Sequence, residues 1–195
     1  MLRRHGVEHV VVPPGFDDGV LRPGQVTPAR WVAALAYLKA SSPVAMREGE
    51  VRGWRVLGAD TVCVLDGRII GQPANAEAAR EIIASFENRR HDVLTGVAIV
   101  APGNRSRMIF VDQAVVRVGV IGKARIEEYV DSGLWRGKAG AYNLSERLTA
   151  GWAIDVDGDP DTVMGLPMRR LVGVLNRSAA STQMMTADTE NEGVL

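Results

Sequence analysis

Among the side chains able to do chemistry, the clearest is an aspartate set in an apolar strand. The stretch Gly58-Ala59-Asp60-Thr61-Val62 lies inside Trp54 to Leu65, a run of apolar and β-branched residues that reads as a strand. A carboxylate is costly to bury as a charge, so Asp60 is either hydrogen-bonded within the packing or placed at a cleft for work. Asp17 and Asp18 add two carboxylates in the turn-rich segment Pro13 to Gly19, and a loop after a strand is a common place for a site. Lysine occurs only at Lys39, Lys123 and Lys138, and Lys39 falls at the edge of a helical apolar stripe, within reach of a cleft. Carboxylates with a nearby ammonium form the hard-oxygen setting that holds Mg²⁺ or Mn²⁺ and neutralises a polyphosphate. The same acids also suit a solvated turn, and spacing alone does not choose between the two.

Other chemistries drop away. The acidic string Asp155 to Asp161 has glycine at its fourth position and Leu166 at its twelfth, whereas a calcium-binding EF-hand loop needs glycine sixth and glutamate twelfth. His5, His9 and His91 lack metal-ligand spacing. The single cysteine, Cys63, cannot form an intramolecular disulfide and reads as a small buried hydrophobe. No serine sits in a nucleophile elbow, and no glycine-rich phosphate loop is present.

The elements that must hold these residues alternate between strand and helix patterns. Val7 to Val12 reads as a short strand. A helix follows, capped by Thr27 with Pro28 in its first turn, and Trp31, Leu35 and Leu38 share one stripe. After the strand carrying Asp60, Asp66-Gly67 predicts a hairpin into Arg68 to Ile70. Asn75 caps a helix to Phe86 whose buried face is Ala79, Ile82, Ile83 and Phe86. His91 to Val100 and Met108 to Val120 predict an antiparallel pair, with a short helix at Lys123 to Asp131. Trp152 to Val156 continues the strand pattern, and a last helix near Pro167 to Asn176 buries Met168, Leu171, Val172 and Leu175. This order predicts an α/β fold with a twisted mixed β-sheet flanked by helices, one domain over 1–177 and a disordered tail over 178–195.

Composition agrees with one folded domain. Of 195 residues, 46% are hydrophobic and 24% charged, and 23 basic residues balance 23 acidic ones. That balance gives no general field for nucleic acid or anionic lipid, so neither is an expected partner. No window approaches the ~18 continuous apolar residues of a membrane span, and the sequence reads as cytoplasmic.

From Gly58-Ala59-Asp60-Thr61-Val62 onward the chain resembles the Maf family of nucleoside triphosphate pyrophosphatases. Leu65 to Pro73 resembles the family hairpin ending in Gly-Lys-Pro, and His91-Asp92-Val93-Leu94-Thr95-Gly96-Val97 its His-x-Val-x-Thr-Gly-Val strand. Lys138-Ala139-Gly140-Ala141-Tyr142 matches its Lys-Ala-Gly-Ala-Tyr segment, and Val163-Met164-Gly165-Leu166-Pro167 its Val-x-Gly-Leu-Pro helix start. The resemblance implies two lobes around a central cleft, a homodimer, and hydrolysis between the α- and β-phosphates of a nucleoside triphosphate with Mg²⁺ or Mn²⁺. The Lys-Ala-Gly-Ala-Tyr segment favours the branch acting on dTTP and UTP. Asp60 falls at the family's general base and metal ligand, Asp18 at a second metal or water ligand, and Lys39 at the phosphate-neutralising lysine. Thr61 falls in the region that governs substrate choice.

Three departures from the family pattern keep a second reading open, a catalytically degenerate nucleotide-binding or regulatory protein. Met1 to Val7 aligns just after the family's phosphate-binding run Ser-x-Ser-Pro-Arg-Arg, which a mis-assigned start codon would explain. Gln72 stands at a second substrate-binding lysine, and Ser145 at a base-contacting glutamine.

Overall fold

The computed structural model describes residues 1–13, 21–103 and 106–175. A 3-10 turn, Leu2–His5, precedes helices α1 (Pro28–Ala40) and α2 (Pro43–Arg52). Strand β1 (Val56–Leu65) turns through Asp66 and Gly67 into β2 (Arg68–Ile70), followed by α3 (Ala76–Phe86), β3 (Arg89–Val100) and β4 (Arg107–Val118). Next come α4 (Lys123–Asp131), a 3-10 turn at Ala139–Ala141, α5 (Leu144–Thr149), β5 (Ile154–Asp157), α6 (Pro160–Val163) and α7 over 168–175.

Local chemistry places the element ends. The Thr27 hydroxyl accepts from Arg30 N at 3.3 Å and Asn75 Oδ1 from Ala78 N at 2.8 Å, satisfying donors that a helix start leaves unpaired. Ser42 does the same for α2, a helix that apolar periodicity misses because only Ala45 and Gly49 of its residues are buried. Asp66 and Gly67 both have positive φ, 50° and 76°, as a two-residue hairpin of the tight primed type requires.

The five strands form one sheet in the order β2-β1-β3-β4-β5, and every pairing is antiparallel. The α/β fold with flanking helices is as expected, but among the described residues the sheet is wholly antiparallel and not mixed. A two-residue turn returns β1 into β2, β4 pairs with β3 as its next strand in the chain, and the longer α3 and α4–α5 excursions also bring the chain back antiparallel to the strand it pairs with. The expected strand at Val7–Val12 does not form, because no described strand pairs with it. It runs as irregular chain with Val11 83% exposed, and a β-branched sequence becomes a strand only with a partner.

Residues 58, 60, 62 and 64 of β1 face α1, and residues 57, 59, 61, 63 and 65 face the opposite layer. α1 lies very close to the sheet. A Cβ on Gly58 would overlap the Ala36 carbonyl and the Ala40 amide, and one on Gly96 would overlap the Val32 carbonyl. The buried face of α1 is therefore Val32, Leu35, Ala36 and Ala40, not the predicted Trp31–Leu35–Leu38 stripe, and Leu38 is exposed. The core is split along the middle of the sheet. On the far face, one cluster holds Cys63, Leu65 and Val93, and the other holds Leu57, Ala59, Val97 and Ile99. Thr61 and Thr95, directly opposite in register, lie between them.

Candidate functional site

The close approach of α1 to β1 brings Lys39 to Asp60. Lys39 Nζ donates to Asp60 Oδ1 at 2.5 Å, with the two side chains 26% and 11% exposed. The carboxylate is thus charge-paired and keeps a small part of its surface open. Lys39 also lines a cavity of about 670 Å³ bounded by Val7 to Val12, α2 and the Val56–Ala59 part of β1. Asp18, the other expected metal ligand, lies outside the described residues, as does Asp17.

Thr61 is on the other side of the strand from Asp60. It lines a smaller pocket of about 200 Å³ with Lys138, Tyr142, Asn143, Met164 and Gly165. The remaining expected substrate residues gather near this second pocket. Gly71, next to Gln72, accepts from Gly140 N at 3.0 Å, tying the 71–73 stretch to the 3-10 turn that borders the pocket. Gln72 itself is exposed. Ser145 donates from Oγ to Asn143 Oδ1 at 2.8 Å, helping to fix a pocket residue. The structure therefore divides the expected site into a Lys39–Asp60 pair on the α1 face and a Thr61 group on the opposite face. β2 pairs with β1 only at Cys63, Val64 and Leu65, so the edge beside Asp60 and Thr61 is outside that hairpin.

Sequence reasoning missed the groups behind Thr61. Thr95 and Asp112 occupy successive register positions across β3 and β4, and Thr162 of α6 caps them. Thr61 Oγ1 lies 2.8 Å from Thr95 Oγ1, Thr95 donates to the Thr162 carbonyl at 2.7 Å, and the Thr162 hydroxyl donates to Asp112 Oδ2 at 2.5 Å. Thr95 and Thr162 are wholly buried. A hydroxyl in an otherwise apolar strand was the available signal for Thr95. Glu146 was also missed; it accepts from Lys138 Nζ at 2.6 Å.

Burial tunes the surrounding groups. It pushes the Cys63 thiol up to about 12, which keeps it protonated and unreactive. It lowers His91 to about 4, and the neutral ring stacks on Phe86 and shares a 2.9 Å hydrogen bond with the Tyr142 hydroxyl. His91 is structural, as its spacing suggested. No group of three or more potential metal ligands occurs among the described residues.

A family model described as "Maf-like protein" matches residues 1–178. The chain belongs to the Maf family. Curated relatives agree with that membership. A dTTP/UTP pyrophosphatase of Symbiobacterium thermophilum is 34% identical over 177 residues, covering 91% of this chain and 87% of the relative. A dTTP/UTP pyrophosphatase of an Anaeromyxobacter species is 35% identical over 182 residues, covering 91% and 83%. A nucleoside triphosphate pyrophosphatase of Xylella fastidiosa is 36% identical over 148 residues, covering 76% and 77%. In this Maf chain the motifs that carry the likeness fall at and behind the two sites: Asp60 and Thr61 adjacent on β1, Thr95 buried behind Thr61 on β3, and Lys138, Ala139 and Tyr142 lining the smaller pocket.

Proposed function

We propose that this Maf-family chain hydrolyses nucleoside triphosphates, dTTP, UTP or modified pyrimidine nucleotides foremost, to a nucleoside monophosphate and pyrophosphate. The observation that carries this reading is the Lys39–Asp60 pair, partly exposed and joined to a large cavity through Lys39. Asp60 accepts a proton from the attacking water as its oxygen bonds to the α-phosphorus and the bond to the bridging oxygen breaks. Lys39 supplies positive charge for the phosphates, and such electrostatic stabilisation is often the largest catalytic contribution. The nucleobase end is assigned to the Thr61 pocket, with the ligand straddling the edge of β1 between the two sites.

A divalent cation, Mg²⁺ or Mn²⁺, belongs to the proposal. Such an ion held mainly by substrate phosphates needs only one or two protein carboxylates, so Asp60, with Asp18 as second ligand, suffices as a donor set. Bound there, it would polarise the phosphoryl oxygens and lower the pKa of bound water. A homodimeric assembly and a cytoplasmic location complete the reading; no described helix is long and apolar enough to cross a membrane.

The test is pyrophosphate release from a nucleotide panel with Mg²⁺ or Mn²⁺. Wild type is expected to turn over dTTP and UTP, and Asp60→Asn to be slower by about 10²–10⁴-fold. Equal rates would remove Asp60 from the chemistry. Nucleotide binding without turnover by wild type would favour the degenerate binding protein instead.

A further inference from the structure

Hydrogen-bond direction in the threonine row is forced, and it has a chemical consequence at the smaller pocket. A backbone carbonyl can only accept, so the 2.7 Å contact from Thr95 to the Thr162 carbonyl consumes the single Thr95 proton. The 2.8 Å contact between Thr61 and Thr95 must then carry the Thr61 proton. Thr61 Oγ1 is left with lone pairs only, as an obligate acceptor at the pocket wall. The Thr162 hydroxyl, spent on Asp112, cannot reverse this arrangement.

Beside the Tyr142 hydroxyl, which is engaged with His91, the pocket wall carries two side chains that can donate. Asn143 Oδ1 accepts from Ser145 Oγ and from Glu146 N, which fixes the amide and leaves its NH₂ to donate. Lys138 gives one of its three N–H bonds to Glu146 and is donor-only in the rest. A volume of about 200 Å³ is below the ~300 Å³ at which pockets hold a whole drug-sized ligand, so it suits one part of a larger molecule. Gly165, whose added Cβ would lie 3.4 Å from Thr61 Oγ1, keeps the approach to that oxygen open.

We infer that Thr95 is a positioning residue that sets nucleobase selectivity, holding Thr61 as an acceptor so that the pocket takes a ring N–H flanked by carbonyls and refuses cytosine. The imide edge of uracil or thymine offers that N–H to Thr61 and its carbonyls to Asn143 and Lys138. Cytosine presents a lone pair at the same ring nitrogen and would leave Thr61 facing it without a proton between them. The inference rests on the nucleotide reading above, and it names the group that enforces the choice.

Calorimetric titration of the full chain with UMP and with CMP tests it without requiring turnover. Wild type is expected to bind UMP at least about tenfold more tightly than CMP, the effect of one unsatisfied polar contact. Thr95→Val frees the Thr61 hydroxyl to rotate and donate, so the ratio should collapse toward one, while Thr95→Ser should keep it. Thr61→Val, which removes the acceptor itself, should also abolish the preference and serves if Thr95→Val does not fold. A wild type without preference, a Thr95→Val protein that retains it, or a Thr95→Ser protein that loses it overturns the inference. UTP hydrolysis by wild type is measured in parallel. A UMP preference without hydrolysis would overturn the catalytic reading alone, and hydrolysis without preference would overturn the selectivity inference alone.

Discussion

At the scale of single residues, burial and pairing yield two measurable consequences. His91 is held neutral, with its pKa lowered to about 4 from an ordinary 6.5 by burial. The unfolded chain protonates this ring below pH 6.5 while the folded chain does not until about pH 4, so stability falls as pH drops through that window. Between pH 7 and 5 the loss from this residue should be about 2 kcal/mol in urea unfolding, and His91→Gln should show a correspondingly flatter pH dependence. Lys39→Gln removes the charge facing Asp60 and the large cavity. Its kcat/KM for UTP should fall by about 10²-fold, a size typical of losing one electrostatic donor, and steady-state kinetics check it. Asp60 was legible from sequence because a lone carboxylate in an apolar strand demands an explanation, and Lys39 because lysine is so scarce here. The polarity of Thr61 was not legible, since it depends on three hydroxyl and carbonyl groups brought together only by strand register.

At the scale of elements, the glycines of β1 and β3 set the reach of α1. Gly58 and Gly96 let the helix backbone rest on the sheet, and that closeness carries Lys39 to its partner. Gly58→Ala should therefore destabilise the fold by about 1–3 kcal/mol, the usual range for overpacking, and depress turnover together with stability. Thermal melts and initial rates on the same preparation would show both; an unchanged melting temperature would refute the close-packing account. Helix caps, the Asp66-Gly67 hairpin and the β3–β4 pair could be read from sequence because their signals are local. The burial stripe of α1 could not. Small residues replace large ones where a helix lies against glycine, so hydrophobic size no longer marks the inward face. The Val7–Val12 segment misled for the complementary reason, since strand character needs a partner that composition does not reveal.

At the scale of the whole molecule, β3 occupies the centre of the sheet and is buried almost throughout, while Val56–Ala59 of β1 borders the large cavity. Native-state hydrogen exchange should follow that contrast, with Val93–Ile99 amides the slowest and Leu57–Ala59 distinctly faster. Equal protection in both segments would contradict the described architecture. The division of Asp60 and Thr61 between opposite faces of one strand also bears on how such an enzyme can change over time. Consecutive positions on a pleated ribbon answer to different neighbourhoods, so with the roles proposed above, substitutions behind Thr61 would retune which nucleotide is accepted while the surroundings of Asp60 stay intact. A one-residue insertion or deletion upstream within β1 would exchange the two neighbourhoods at once, and descendants are therefore expected to diversify here by replacement and not by slippage.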